Sequence, residues 1–152
     1  MPEESNARML HAVVAIVQRD KRVLFVQRSS ASRGFAGYWT PVSGGVEAAE
    51  SERQALRREV REEVALEIEP GEKVATIPTR DGRYLLHFWT CAVVAGEPRV
   101  SSEEVADLRW LTLAELAQLQ PVFEEDVRIV SAVMSDADVA DALADDADRG
   151  VS

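Results

Sequence analysis

The chain has one cysteine, Cys91, and two histidines, His11 and His87. A single thiol excludes an internal disulfide and a cysteine-ligated metal cluster. Its setting in an apolar run reads as a buried, inert group. No apolar stretch reaches membrane-spanning length, and no leader of the secretory kind precedes the first strand, so a cytoplasmic protein is expected. Internal repeats are also missing. Positive charge is short: 17 Lys and Arg stand against 27 Asp and Glu, a net charge of −10. That balance disfavours a nucleic-acid polymer or an anionic membrane as partner. An acidic protein that handles phosphates needs metal ions and a few well-placed arginines.

The 152 residues suit one domain with a real core. Residues 1–8 read as a flexible polar N-terminus, 9–134 as the folded domain, and 135–152 as a loose acidic tail with room for helix as far as Leu143. Leu10 to Val17 and Val23 to Gln27 read as two strands joined through Arg19-Asp20-Lys21. Pro70-Gly71 signals a turn, Lys73 to Thr79 a strand, Asp81-Gly82 a tight hairpin, and Tyr84 to Val94 a long strand. Arg109 to Leu111 reads as a short strand. Thr112 with Glu115 starts a short helix, and Glu124 to Met134 is an amphipathic one. Strands mixed with a central helix and C-terminal helices predict an α/β domain with a mixed sheet.

The stretch from Gly44 to Leu66, GGVEAAESERQALRREVREEVAL, organises the rest. Ser51 and Gln54 have capping-box spacing, and no proline or glycine interrupts the run to Leu66. At about 100° per residue, Glu52, Glu59, Glu62 and Glu63 share one arc, with Leu56, Val60 and Val64 beside it as a buried stripe. Glu-rich helices are usually solvated faces. Yet Glu59 and Glu63 are like charges one turn apart, which a purely structural face tends to avoid. Clustered carboxylates next to a glycine turn suit a hard divalent cation, Mg²⁺ above all, that bridges to substrate phosphates.

This stretch resembles the Nudix (MutT-like) hydrolase signature, G-x5-E-x7-R-E-U-x-E-E-x-G-U with U a bulky aliphatic. Gly44, Glu50, Arg58, Glu59, Val60, Glu62, Glu63 and Leu66 meet it. Ala65 departs from it, standing where the family has glycine. The resemblance implies an α/β/α sandwich with a central mixed sheet. It also implies Mg²⁺, with Mn²⁺ as a substitute, on Glu59, Glu62 and Glu63 together with the backbone carbonyl of Ser43 or Gly44. Gly44, Gly45 and Glu50 would be the structural part of the box, and Arg58 a brace within the catalytic set. The general base would be Glu59, Glu62 or one of Glu103 and Glu104, with no choice between the last two. Arg28, at a strand end, would meet substrate phosphates. Arg33, Tyr84 and Phe88 are further candidates for substrate contacts, and the opposite facing of His87 and Phe88 lets at most one of them look into a cleft. The implied activity is Mg²⁺-dependent hydrolysis of a diphosphate linkage, foremost in a nucleoside triphosphate or modified nucleotide. Dinucleoside polyphosphates, ADP-ribose and nucleotide sugars are the alternative substrates, and a non-catalytic nucleotide sensor the alternative class. A homodimer is compatible with the family.

Overall fold

The β-branched run after Leu10 forms β1 (Leu10–Arg19), which turns into β2 (Arg22–Arg28). Asp20 and Lys21 both take positive φ, 53° and 62°, the mirror-image turn that matches strand twist in a two-residue hairpin. The computed structural model describes residues 9–32 and 34–151, with side chains as far as residue 137. The expectation for residues 1–8 and the site of Arg33 lie outside the described residues. After β2 come β3 (Trp39–Thr40), β4 (Val42–Gly45) and α1 (Glu52–Val64). Then follow β5 (Glu67–Pro78), β6 (Tyr84–Ala95), β7 (Val105–Leu111), α2 (Leu113–Gln118) and α3 (Glu124–Val151). No described helix is long and apolar enough to cross a membrane.

The sheet is mixed and has seven strands, in the order β3-β2-β1-β6-β5, with β4 on β1 and β7 on β2. Only β1 and β6 pair in parallel, Val13 opposite His87 and Val14 opposite Phe88; the other pairs are antiparallel. Strand alternation divides the core. Val13, Ala15 and Val17 pack with Leu56, Val60 and Val64 of α1, whereas Val14 and Ile16 pack with Leu116, Val130 and Met134 of α2 and α3. Helices therefore cover both faces, giving an α/β/α sandwich. Cys91 is 3% exposed on the α1 side, and burial pushes its thiol up to about 12.

Three boundaries differ from expectation. Pro70 and Gly71 lie inside β5, not at a turn, because the strand bulges there and Arg53 donates to both carbonyls, at 2.9 and 3.1 Å. β7 begins at Val105, since its first residues ladder onto Gln27 and Arg28. Beyond Ser135 the backbone continues as helix to Val151, past Leu143. Its alanines and the lack of glycine or proline between Ser135 and Arg149 favour that backbone.

Candidate active site

Helix α1 starts where its spacing says. Ser51 accepts from the Gln54 backbone at 3.1 Å and the Gln54 side chain accepts from Ser51 N–H at 2.8 Å. Leu56, Val60 and Val64 anchor one stripe in the core, and this fixes the rotation of the helix. Arg58, Glu59 and Glu63 then turn towards β4, while Glu62 stays exposed.

Arg58 is the hub. Its Nε and Nη2 donate to the two oxygens of Glu50 at 2.7 and 2.9 Å, and Nη2 also donates to the Gly45 carbonyl at 2.9 Å. Nη1 donates to Glu59 at 2.7 Å and reaches Glu62 at 3.4 Å. The hydrogen bond from Arg58 is the main reason the Glu50 carboxyl is held down at about 2. Glu50 and Glu59 in turn raise the Arg58 guanidinium above its usual range. The brace expected from the signature is therefore a fork on Glu50 that also grips Glu59.

Glu59 lies against the backbone of Gly44 so closely that a Cβ there would overlap its carboxyl carbon and both oxygens. Burial raises the Glu59 pKa despite the Arg58 bond, and the charges of Glu62 and Glu104 add to the rise. Glu63 sits deeper, bonded to the Ser43 backbone. Burial first, then the charges of Glu59 and Glu104, push its pKa up to about 8, with Arg28 pulling the other way.

The β6–β7 loop brings Glu104 here. Arg99 and Ser101 donate to the carbonyls of Val64 and Glu63, which satisfies the end of α1. Ser29 N–H donates to the Glu104 carbonyl at 2.8 Å, and its hydroxyl to that of Glu103. A cleft results, lined by Arg28, Ser32, Thr40, Ser43, Glu63 and Glu104. The two glutamates left open by the sequence thus separate: Glu104 lines this cleft and acts electrostatically on Glu59 and Glu63, whereas Glu103 joins only through its carbonyl.

Arg28 borders the cleft, its Nε bonded to the Gly34 carbonyl at 3.1 Å. Two candidates are not brought to it. Phe88 is 0% exposed in the core on the α2–α3 side. Tyr84 lies opposite Leu10 at the start of β1, away from Val14, which pairs with Ser43. Sequence reasoning missed Ser32 and Thr40, small polar residues without any spacing signal. It also missed an aromatic cluster of Phe35, Tyr38 and Phe123, with ring centres 4.9 to 5.4 Å apart. Phe35 is 59% exposed there, a clue visible only after folding.

Among the described residues, no three acidic, histidine or cysteine side chains already form a closed metal-ligand set. The donors nonetheless suit a hard divalent cation. They are all oxygens, and the charges of Glu59 and Glu104 raise the cost of ionising Glu63, as those of Glu62 and Glu104 do for Glu59, a cost that a cation among them would remove.

A family model described as NUDIX domain matches residues 8–133. The CTP pyrophosphohydrolase of Escherichia coli strain K12 is 34% identical over 128 residues, which are 84% of this chain and 93% of that protein. The putative 8-oxo-dGTP diphosphatase 2 of Mycobacterium tuberculosis strain H37Rv is 35% identical over 107 residues, 68% of this chain and 74% of that one. The solution structure of the E. coli ORF135 protein superposes with a TM-score of 0.67 at 34% identity, covering 84% of this chain and 90% of that one.

Proposed function

The chain belongs to the NUDIX family and is a hydrolase of diphosphate linkages in nucleotides, and on that premise we propose that it cleaves a nucleoside triphosphate or modified nucleotide with Mg²⁺. The observation that carries this reading is that Glu63 and Glu104 share one cleft with Arg28, with Glu59 near enough for its charge to act on Glu63. The activities for which the two relatives are named support a triphosphate over the other diphosphate classes.

Glu59, Glu62 and Glu63, with the carbonyl of Ser43 or Gly44, would hold Mg²⁺, and Mn²⁺ could replace it. When bound, such an ion neutralises phosphate charge and lowers the pKa of a water. Arg28 binds the phosphate chain and orients it over the carboxylates. Arg58 does not contact substrate; it fixes Glu50 and Glu59 so that neither reorganises during the reaction. Glu104 is the candidate general base, since its carboxylate lines the cleft without an arginine partner among the described residues.

The test resolves by chromatography the phosphorylated products released from canonical and oxidised triphosphates, dinucleoside polyphosphates, ADP-ribose and nucleotide sugars, with Mg²⁺ and with EDTA. Metal-dependent release from triphosphates, abolished in Glu63→Gln, is the expected result. Turnover confined to ADP-ribose or a nucleotide sugar would overturn the substrate assignment. Nucleotide binding without any turnover would overturn the reading as a working hydrolase.

A further inference from the structure

The two histidines of the chain meet on the parallel strands β1 and β6. His11 Nδ1 and His87 Nε2 are 2.9 Å apart, with ring centres 5.2 Å apart and ring planes 19° apart. That centre separation is about the longest that such a contact allows, so the two nitrogens lie nearly in line between the rings. One hydrogen fits on that line. His87 is 5% exposed, and its other nitrogen, Nδ1, is buried without a hydrogen-bond partner among the described residues. Glu52 Oε1 lies 3.5 Å from it. Glu52, in the first turn of α1, already accepts from the Trp89 indole at 2.9 Å and pairs with Lys73 at 3.1 Å. His11 is exposed and borders a cleft with Glu47, Ser51 and Glu52, so it meets solvent.

A buried, unbonded ring nitrogen beside a carboxylate is rare in folded proteins. The charged groups around His87 come from three elements. Glu52 faces it from α1, with Arg53 of the same helix stacked over Trp89 at 4.8 Å; Lys73 faces it from β5 and His11 from β1. Burial above all, with Lys73 and His11, holds the pKa of the ring below its usual value, and Glu52 works against them. The geometry adds a limit. Two imidazolium rings would set N–H against N–H across the contact, so the pair holds one extra proton at most without separating.

We infer that Glu52, His87 and His11 form a one-proton latch that fastens the first turn of α1 to the sheet. In the open state His87 carries its hydrogen on Nδ1, and His11 Nδ1 donates to His87 Nε2. A proton from solvent adds to His11 Nε2, and the shared hydrogen passes along the line to His87 Nε2. His11 ends neutral and His87 becomes an imidazolium, whose Nδ1–H closes on Glu52 as a charge-assisted bond. The latch engages on the acid side and holds the start of the helix that carries Arg58, Glu59 and Glu63. It does not depend on the proposed substrate, and its test does not read turnover.

The experiment follows the ring nitrogens of the ¹⁵N-histidine-labelled full chain by NMR across pH, in wild type, Glu52→Gln and His11→Ala. Both wild-type rings are expected to respond to one shared step, with a second step displaced by at least about one pH unit to the acid side. Amide exchange protection at Gln54 and Ala55, which bond back to Ser51, should rise about threefold or more across the first step. Glu52→Gln should move that step to lower pH and abolish the gain in protection. His11→Ala should leave His87 titrating alone, and its spectrum reports independently on folding. Two independent single steps in wild type would overturn the latch, as would an equal protection change in wild type and Glu52→Gln.

Discussion

The carboxyl group of Glu59 occupies the space that a Cβ on Gly44 would fill. Gly44 is therefore required by that close approach and not by a left-handed backbone, since its φ is not among the positive ones. Gly44→Ala must displace Glu59 from its place against β4 and from Arg58. The expected result is a fall in kcat of about 100-fold, the scale of a misplaced catalytic group. Stability should fall by roughly 1–3 kcal/mol, as for other overpacked positions. Steady-state kinetics and thermal melts of the one variant measure both.

Glu103 and Glu104 are adjacent in sequence and unequal in space. Glu104→Gln should lower kcat by roughly 10²–10⁴-fold, the range for a general base, with melting unchanged. Glu103→Gln should leave kcat within about twofold, because the only described bond of Glu103 to the cleft wall is through its carbonyl. Equal losses in the two variants would refute the assignment.

Glu50 titrates well below an ordinary carboxylate, at about 2, because of the Arg58 fork. A depressed folded-state pKa stabilises the protein above the unfolded value near 4.5 and loses that contribution as pH falls through it towards 2. Glu50→Gln should flatten the denaturation profile between these limits. Arg58→Ala leaves both Glu50 and Glu59 unpaired at 13% and 15% side-chain exposure. It should cost on the order of 3 kcal/mol near neutral pH. Lysine should restore little of this, since it cannot present the fork.

Ala65 ends α1 in the left-handed region, φ 60° and ψ 31°, with its N–H bonded to the Arg61 carbonyl. An alanine is strained there by about 1–2 kcal/mol; glycine would relieve this strain, offset in part by its greater freedom when unfolded. Ala65→Gly should raise stability by about 0.5–1 kcal/mol, seen as a melting temperature about 1–4 °C higher. Unchanged kinetics would show that the helix exit stabilises the fold without tuning the site.

Asp126 is 8% exposed in the first turn of α3, where the helix terminus favours a negative charge. Burial outweighs that, and with Glu125 it pushes the carboxyl up to about 7. A raised acid pKa makes the folded state the better proton binder between the unfolded value of 3.8 and about 7. Stability attributable to Asp126 thus falls as pH rises across that window. Asp126→Asn should match wild type at pH 3.5 and exceed it at pH 8 by a few kcal/mol, since each pH unit across the window is worth roughly 1.4 kcal/mol. Denaturant titrations at the two pH values decide it.

The sequence alone determined the hairpin of β1 and β2, both capping boxes, the burial of Cys91 and the rotation of α1. Each rests on local spacing or on hydrophobic period, which a chain carries before it folds. It also named the box residues, because their spacing along one helix is itself the geometry. Local signals misled where long-range pairing prevailed. Pro70-Gly71 has turn chemistry, yet pairing with β6 and the Arg53 clamp keep it in a bulged strand. Phe88 and Tyr84 are suitable residue types, but strand register sent one into the core and the other to the start of β1. Only the tertiary structure brought Glu104, Ser32 and Thr40 into one cleft with Glu63, and set His11 in line with His87. Those relations join residues far apart in the chain, and no periodicity encodes the side on which a loop lands.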